Sequence, residues 1–414
     1  MRNEIAIDPG HGGRLMLEKR RFGDERVEEL VAVAQSMRPY LLEMAPKQEQ
    51  KRRLDPSVIE KLTAADMFKV AVPRRWGGLC FSAHGMAQVA VELAKGCPST
   101  GWVYCISNSA SWVASLATDA VQEDVFARGV PIMCSAVNPP GTFTKVEGGY
   151  KVTGAFPYAS GCLDSAWGMF AIATKNADGR LVPAGQFYAP MSDATISDTW
   201  FVAGLKGTGS NTVVFNDVFV PEHRVVPPAP PGHPPGKKHL GEPSDYFALL
   251  PHLRSVMLGV LVGMAEAALE LVSGATSKRG IVYTTYMRQT DSHVVQKEIG
   301  EAATMIHTAR LLMDAANKLI DEAALAERPI TYLEQTRNKG ETVFATDLMV
   351  KAVEKLMYVS GSSGFSENTP LQRYWRDLNM AARHAANVPH VGYEMYGRAL
   401  MGVEPNIAPH PSFI

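Results

Sequence analysis

Two short segments of the chain place hydroxyl side chains beside glycines. One contains Ser160 followed by Gly161, and the other runs Gly207-Thr208-Gly209-Ser210. Glycine lets a backbone approach a flat ligand closely, and backbone N–H groups in such turns can bind a phosphate or another negatively polarised oxygen. The hydroxyls can donate or accept a further hydrogen bond. These segments predict a ligand-binding loop, although glycine-rich β-turns also occur without a ligand.

Two histidines near the carboxy terminus are candidates for proton transfer. His384 lies three residues before Asn387, and His390 directly follows Pro389. A neutral imidazole can accept a proton near pH 7. Asn387 would orient the ring of His384 across one helical turn, and Pro389 would end one helix or start the next. His384 would then lie near a helix carboxy terminus, where the helix dipole favours the cation. Either histidine is also compatible with a purely structural role.

The composition excludes several classes of protein. The 41 basic and 42 acidic side chains give a formal charge of -1, too small an excess for binding phosphate backbones or anionic lipid. The five cysteines lack CxxC or Cys/His ligand spacing, so neither disulfides nor a metal site is suggested and a reducing cytoplasm is expected. No uninterrupted apolar run reaches the about 18 residues needed to span a bilayer. A soluble, cytoplasmic protein that binds no nucleic acid, membrane or metal is predicted.

The elements that must position these residues change character along the chain. Apolar residues at helical spacing predict helices over about residues 24–65 and 83–128 and again after residue 246, and short β-type runs between about 131 and 221. The predicted strands include 150–153, 167–174, 186–189 and 212–220. The predicted carboxy-terminal helices are 246–279, 293–326 and 333–360, followed by final helices near 371–402.

A chain of 414 residues is long enough for two or three packed subdomains. The order of helices, strands and helices, without βαβ alternation, predicts an α+β fold. A segment dense in proline and glycine is expected to form a surface loop or lid, or a linker without function. The predicted units are an N-terminal helical domain (1–130), a central β domain (131–222), the proline-rich loop (223–243) and a C-terminal helical bundle (244–414).

Four parts of the sequence resemble the acyl-CoA dehydrogenase superfamily, and within it the two-component, reduced-flavin-dependent monooxygenases. They are Val72–Gly78 with Cys97–Val103, Val152–Trp167, Trp200–Ser210, and Gly361–Asp377 with Tyr396–Gly402. The resemblance implies an acyl-CoA dehydrogenase-like fold, in which an N-terminal helical domain, a central β domain and a C-terminal four-helix bundle surround the cofactor.

The resemblance also implies a reaction. The chain would be an oxygenase component that receives reduced FMN or FAD (FMNH2 or FADH2) from a separate NAD(P)H-dependent flavin reductase. The reduced flavin would react with O2 to a C4a-hydroperoxyflavin, which hydroxylates a small aromatic, phenolic substrate. No GxGxxG nicotinamide-binding fingerprint is present, in keeping with a separate reductase. The family usually forms homotetramers, and the apolar helices of this chain permit that assembly.

The same resemblance assigns cofactor-binding roles to individual residues. Ser160 would donate a hydrogen bond to N5 or to the carbonyl region of the flavin ring, and Trp200, Thr208 and Ser210 would line the same site. Arg279 falls where related enzymes carry a basic residue, which would stabilise negative charge on the reduced flavin or its phosphate. An exposed charge at a helix end is the alternative for Arg279.

The expected catalytic residues are His384, with Asn387 and Ser160 beside it. A phenol has a pKa of about 10, so a base that shares the hydroxyl proton helps the ring attack the activated oxygen. His390 is the alternative base. A histidine base favours hydroxylation over acyl-CoA dehydrogenation, the other reaction that the resemblance allows.

Three alternative functions stay open on the sequence alone. Oxygenation of a nitrogen or sulfur atom would use the same scaffold and cofactor. An FAD-dependent acyl-CoA dehydrogenase would need a carboxylate base, for which Glu301 is the main candidate, although acids on long amphipathic helices usually face solvent. A non-catalytic flavin-binding paralogue is the third alternative.

Overall fold

The computed structural model describes residues 21–137, 141–175, 181–227, 241–404 and 407. In these ranges helices occupy the first and last parts of the chain, and two β-sheets lie between them. The amino-terminal helices are α1 (Val27–Lys51), α2 (Pro56–Ala64), α3 (Ala83–Gly96), α4 (Pro98–Ser115) and α5 (Asp119–Phe126).

The amino-terminal helices form because their apolar residues share one face. In α1, Leu30, Ala34, Met37 and Leu41 follow one another at intervals of three or four residues, and all four are buried. Helix α4 differs, because nearly every residue of it is buried and it runs through the centre of the molecule. A side chain on α4 can therefore meet both the β domain and the carboxy-terminal helices.

Within the described residues, eight strands form two four-stranded sheets. One sheet has the order β1-β4-β5-β8 and the other β2-β3-β7-β6, and every strand pair is antiparallel except β1 with β4. The strands are β1 (Met133–Ala136), β2 (Gly141–Val146), β3 (Gly149–Ala159), β4 (Trp167–Lys175), β5 (Leu181–Pro190), β6 (Thr195–Ser197), β7 (Asn211–Pro221) and β8 (Val225–Val226). All four predicted strands lie within β3, β4, β5 and β7.

A cluster of phenylalanines holds the two sheets together. Phe156, Phe170, Phe187 and Phe215 are all fully buried, and their ring centroids are 5.0 to 5.8 Å apart. Tilted and edge-on packing at these distances is favourable for aromatic rings. The cluster fixes the register of β3 against β7, and that register decides which residues meet where the two strands end.

The carboxy-terminal part is a helical bundle, as the helical periodicity of the sequence predicts. Its helices are α6 (Leu249–Ala275), α7 (His293–Leu325), α8 (Tyr332–Ser360), α9 (Leu371–Ala381) and α10 (Pro389–Leu400). The segment Leu249–Lys278, which contains α6, is long and apolar enough to cross a membrane, but 78% of its most apolar window is buried inside the protein. That burial is typical of a central helix of a globular bundle.

The predicted proline-rich loop lies largely outside the described residues, because 228–240 are not among them. The segment that follows is anchored to the amino-terminal domain. The carboxylate of Glu242 accepts hydrogen bonds from the backbone N–H groups of Arg74 (2.8 Å) and Arg75 (3.1 Å). Asp245 forms an ion pair with the Arg75 guanidinium at 2.9 Å.

Candidate functional site

Three of the predicted site residues meet where β3 ends and β7 begins. Ala159 pairs with Asn211 in the sheet, so Ser160 and Ser210, the next residues outward, are neighbours. Their hydroxyl oxygens are 2.7 Å apart, and the Ser210 oxygen is also 2.7 Å from Oγ1 of Thr208. All three side chains are buried. The sheet register thus joins two segments that are 50 residues apart in sequence.

The hydrogen bonds of these hydroxyls run in one direction. Thr208 donates its proton to the carbonyl oxygen of Leu205 at 2.8 Å, so it must accept from Ser210. Ser210 in turn must accept from Ser160, whose oxygen accepts from the indole Nε1–H of Trp102 at 3.2 Å. Each hydroxyl has one proton and two lone pairs. We call this series, from Trp102 through Ser160, Ser210 and Thr208 to Leu205, the hydroxyl chain.

The hydroxyl chain changes the role predicted for Ser160. Its proton is committed to Ser210, so in this arrangement Ser160 has no proton to donate to a ligand. One lone pair of its oxygen carries no bond within the chain and can accept a hydrogen bond from a ligand. Gly161 is required here, because its φ is +73° and an added Cβ would lie 3.0 Å from Cγ1 of Val103.

The turn before β7 holds Thr208 and Ser210 in place. The indole of Trp200 is buried and donates from Nε1 to the carbonyl oxygen of Leu205 at 3.1 Å, so Trp200 supports the turn from beneath. The backbone N–H groups of Thr208 and Gly209 donate to Leu205 and Lys206. Those two N–H groups are therefore occupied, and the predicted anion-binding nest is replaced at these positions by side-chain hydroxyls.

Asp377 on α9 fixes the same turn from the other side, a role that the sequence did not single out. Leu205 has a left-handed backbone, with φ of +52°, and its N–H donates to Oδ1 of Asp377 at 2.5 Å. Oδ2 of Asp377 is buried and has no partner. Burial raises the pKa of this carboxyl to about 7. Asp377, the last residue of the Gly361–Asp377 segment that resembles the family, thus positions the hydroxyl chain through Leu205.

His384 is the histidine that the structure brings to the hydroxyl chain. Its ring lies edge-on to Trp102, with centroids 5.5 Å apart, whereas His390 is exposed in the first turn of α10. His384 follows α9 by three residues, and Pro389 begins α10. Burial lowers the pKa of the His384 imidazole. The expected preference for the cation at a helix end is therefore wrong, because desolvation of the charged ring outweighs the dipole.

The turn that carries His384 also defines its tautomer. Nδ1 of His384 accepts a hydrogen bond from the backbone N–H of Ala386 at 3.3 Å, so the proton of the neutral ring is on Nε2. Asn387 does not orient the ring with its side chain as predicted. Its amide donates to the carbonyl oxygen of Ala381 at 3.2 Å, and its backbone N–H donates to the carbonyl oxygen of His384 at 2.7 Å. Asn387 closes the turn instead.

Two other residues named from the sequence lie elsewhere. Arg279 is exposed, and its guanidinium donates to the hydroxyl of Ser363 at 3.0 Å, so the alternative of an exposed helix-end charge describes its position in the single chain. Glu301 is partly exposed on α7 and pairs with Lys297 at 3.4 Å and Lys355 at 3.1 Å. A carboxylate held by two lysines has a lowered pKa, which makes it a poor base for taking a proton from a substrate. Within the described residues, no group of three or more potential metal ligands was found.

Comparison with known proteins places this site in a family context. The family model described as "Acyl-CoA dehydrogenase, N-terminal domain" matches residues 25–130, and "Acyl-CoA dehydrogenase, C-terminal domain" matches residues 256–389. The chain is 32% identical, over 370 residues, to the flavin-dependent monooxygenase oxygenase subunit HsaA of Rhodococcus jostii, covering 88% of this chain and 96% of HsaA. It is also 32% identical to the oxygenase component of the FADH(2)-dependent resorcinol hydroxylase of Rhizobium sp., covering 87% and 91%.

A solved structure agrees with these matches. XiaF from Streptomyces sp., determined in complex with FADH2 and glycerol, superimposes with a TM-score of 0.85 at 32% identity, covering 92% of this chain and 97% of XiaF. The likeness extends over all three parts of the fold, including the β domain that lies between the two family-model matches.

Proposed function

Because the chain belongs to the acyl-CoA dehydrogenase superfamily, in its branch of two-component flavin-dependent monooxygenase oxygenase subunits, we propose that it hydroxylates a small aromatic, phenolic substrate. The family and the fold class predicted from the sequence are confirmed by the matches. The reaction consumes O2 and a reduced flavin, and it yields the hydroxylated ring, water and the oxidised flavin. A separate NAD(P)H-dependent flavin reductase supplies the reduced flavin.

The direction of the hydroxyl chain is the observation that carries this proposal. A reduced flavin has an N–H group at N5, whereas the same atom of an oxidised flavin is an acceptor. The free lone pair of Ser160 would accept a hydrogen bond from N5–H of a reduced ring, whereas N5 of an oxidised ring has no proton to donate to it. Ser160 would therefore contact a reduced flavin, and Ser210, Thr208 and Trp200 would hold its hydroxyl in that orientation. The reduced flavin would supply two electrons and O2 the oxygen atom.

His384 contacts Trp102, the same side chain that donates a hydrogen bond to Ser160. The neutral ring carries its proton at Nε2, and it would donate that proton in a hydrogen bond to an oxygen of the bound reactants. Acting as a base on the phenol, the role predicted from the resemblance, would require the Ala386 contact at Nδ1 to be given up or the tautomer to change. Asn387 holds the backbone turn that aims the ring.

The proposal is tested by mixing the protein and reduced FMN or FAD, without oxygen, with buffer containing ¹⁸O2 and a panel of phenols, one amine and one thioether. We expect one ¹⁸O atom in a hydroxylated phenol for each turnover, with less hydrogen peroxide than free reduced flavin releases. Peroxide release equal to that of free flavin, with no labelled product from any compound, would contradict the function. Labelled amine or thioether alone would replace it by N- or S-oxygenation.

The homotetramer expected from the resemblance is also part of this proposal. Helices α7 and α8 expose the apolar side chains of Val294 (68% exposed) and Tyr358 (79%) beside a groove that Met305 and Val350 also line. An exposed apolar face of this kind favours association between copies of the chain. Light scattering should give four times the mass of one chain, and Tyr358→Asp should lower it. A wild-type mass of one chain would exclude the assembly.

A further inference from the structure

Two cationic side chains are buried next to each other in the carboxy-terminal bundle. Arg254 on α6 is 2% exposed and Lys339 on α8 is 7% exposed. The guanidinium of Arg254 makes one long bond, 3.4 Å from Nη2 to the amide oxygen of Asn338, and its Nε has no partner. Nζ of Lys339 lies 3.1 Å from Sδ of Met395, which is a weak acceptor.

No carboxylate of the described residues pairs with this cation pair. Burial alone lowers the pKa of Arg254 to about 9, and burial followed by repulsion from Arg254 lowers the pKa of Lys339 to about 8. An acidic neighbour would have raised both values. By contrast, two other largely buried cations have partners, since Arg373 pairs with Glu49 at 2.7 Å and Lys95 with Glu92 at 2.9 Å.

The cation pair lies on the two helices that meet the candidate site. Helices α6 and α8 both pack against the turn 385–387, which directly follows His384. On its other side α6 meets α4, where the thiol of Cys105 points to the carbonyl oxygen of Val256 at 3.9 Å. Cys105 is one helical turn from Trp102, the residue that touches both Ser160 and His384. The two helices that carry the pair thus also contact the residues around the candidate site, while the pair itself bonds to Asn338 and Met395 and not to the hydroxyl chain.

We propose that Arg254 and Lys339 form a subsite for the ionised carboxylate of an aromatic substrate. The inference rests on the proposed function, because it assigns the substrate of the same site to the hydroxylated aryl carboxylic acids. A buried, unneutralised charge is costly unless a counter-charge arrives, and a bound anion supplies it. A guanidinium binds a carboxylate through two parallel N–H groups, and the ammonium of Lys339 adds a point charge. A carboxylate is ionised at neutral pH without the help of a base.

Binding of matched ligands to the whole protein, without flavin or oxygen, tests the subsite. Isothermal titration would compare a panel of hydroxylated aryl carboxylates, beginning with 4-hydroxybenzoate, with their neutral amides. We expect at least one acid to bind the wild type tenfold or more tightly than its amide. Lys339→Met should lower that ratio at least tenfold, and Lys339→Arg should keep most of it. Lys318→Met is the control, because Lys318 is exposed on α7 and should leave the ratio unchanged.

Several outcomes would overturn the subsite. One is that every acid binds the wild type no better than its amide. Another is that Lys339→Met, shown by its thermal midpoint to be folded, weakens acid and amide equally. A third is that it weakens FMN but not riboflavin, which would assign the cation pair to the flavin phosphate. If Lys339→Met does not fold, Arg254→Lys provides the second test. This variant keeps the charge but loses the two parallel N–H groups of the guanidinium, so it should lower the preference for an acid over its amide without changing the affinity for the amide.

The two proposals fail in different ways. Preference for an acid over its amide needs no oxygen chemistry, so it can persist in a protein that releases only peroxide, and the function would then fail while the subsite stands. If the protein instead hydroxylates acidic and neutral phenols and binds both equally tightly, the function would stand and the subsite would fail.

Discussion

The indole of Trp102 stands edge-on to the imidazole of His384, at 5.5 Å between ring centroids, and donates its N–H to Ser160. One side chain on the central helix thus contacts both the expected catalytic residue and the first hydroxyl of the hydroxyl chain. The direction of the three hydroxyl protons is set at the other end of the hydroxyl chain, where the carbonyl oxygen of Leu205 can only accept.

Replacing Trp102 by phenylalanine keeps the ring against His384 but removes the N–H donor. One hydrogen bond of this kind contributes about 0.5–1.5 kcal/mol, so the affinity for reduced flavin should fall roughly 2- to 10-fold. Anaerobic fluorescence titration measures it. Trp112→Phe is the matched control, because Trp112 is equally buried and loses a similar bond, to the carbonyl oxygen of Ser244 at 2.8 Å, outside the site. Equal losses in both variants would remove Trp102 from the site.

Removing the hydroxyl of Ser210 and removing that of Ser160 should both lower the preference for reduced over oxidised flavin, for different reasons. Ser210→Ala leaves the Ser160 proton without an acceptor, so Ser160 can donate it to N5 of an oxidised flavin. We expect oxidised flavin to bind this variant more tightly than wild type. Ser160→Ala should weaken reduced flavin alone. The measurement is the ratio of the two dissociation constants.

The control for these hydroxyl variants is Ser115→Ala, which removes a buried hydroxyl on α4 that bonds to Trp112. Its ratio should equal that of the wild type. A ratio unchanged in Ser210→Ala as well would show that the direction of the hydroxyl chain does not govern flavin binding.

His384→Ala should reduce hydroxylation by roughly 10²-fold or more while flavin binding is retained. His384→Gln, which can still present an N–H group, should retain more activity than His384→Ala if the ring acts as a donor from Nε2. Product formation at fixed flavin concentration measures both. His390→Ala serves as the control and should be normal. A damaged His390→Ala beside a normal His384→Ala would reverse the assignment.

The pH dependence separates the two roles of His384. Burial lowers the pKa of the ring below its ordinary 6.5, so the ring is neutral at pH 7. A donor keeps its Nε2 proton when the ring becomes charged, so hydroxylation should persist as the pH falls through that pKa. A base would lose activity over the same interval. The pH profile of the single-turnover hydroxylation rate, measured below pH 6.5, decides between them.

Asp377 should make the protein less stable as the pH rises from about 4 to about 7. The folded carboxyl has a pKa of about 7 and the unfolded one 3.8, so in this interval the folded state holds a proton that the unfolded state has released. The free energy of unfolding should fall by at most about 1.4 kcal/mol per pH unit. Asp377→Asn stays neutral and can still accept from Leu205, so its thermal midpoint should depend less on pH. The exposed variant Asp217→Asn is the control, and parallel curves for Asp377→Asn and wild type would refute the effect.

Local sequence patterns determined most of the secondary structure. The helix predicted over 293–326 is observed at His293–Leu325, and that predicted over 333–360 at Tyr332–Ser360. Helical periodicity and turn residues are local signals that extend over a few residues, so they can be recognised in a single sequence. The motifs around Ser160, Thr208 and Ser210 indicated the site for the same reason, because hydroxyl side chains next to glycines are typical of ligand-binding loops.

Partners that are distant in sequence were decided by the tertiary structure. Sequence placed Ser160 and Ser210 in the same candidate site, but the register of β3 on β7 made them hydrogen-bonded neighbours, and the carbonyl oxygen of Leu205 then set the direction of their protons. The lowered pKa of His384 and the burial of the Arg254 and Lys339 charges depend on how whole helices pack. The sequence by itself determined the family, the elements and the reactive side chains. Packing alone decided which of those side chains meet, which are desolvated and which way their protons point, because these properties arise from contacts between segments that the chain order does not specify.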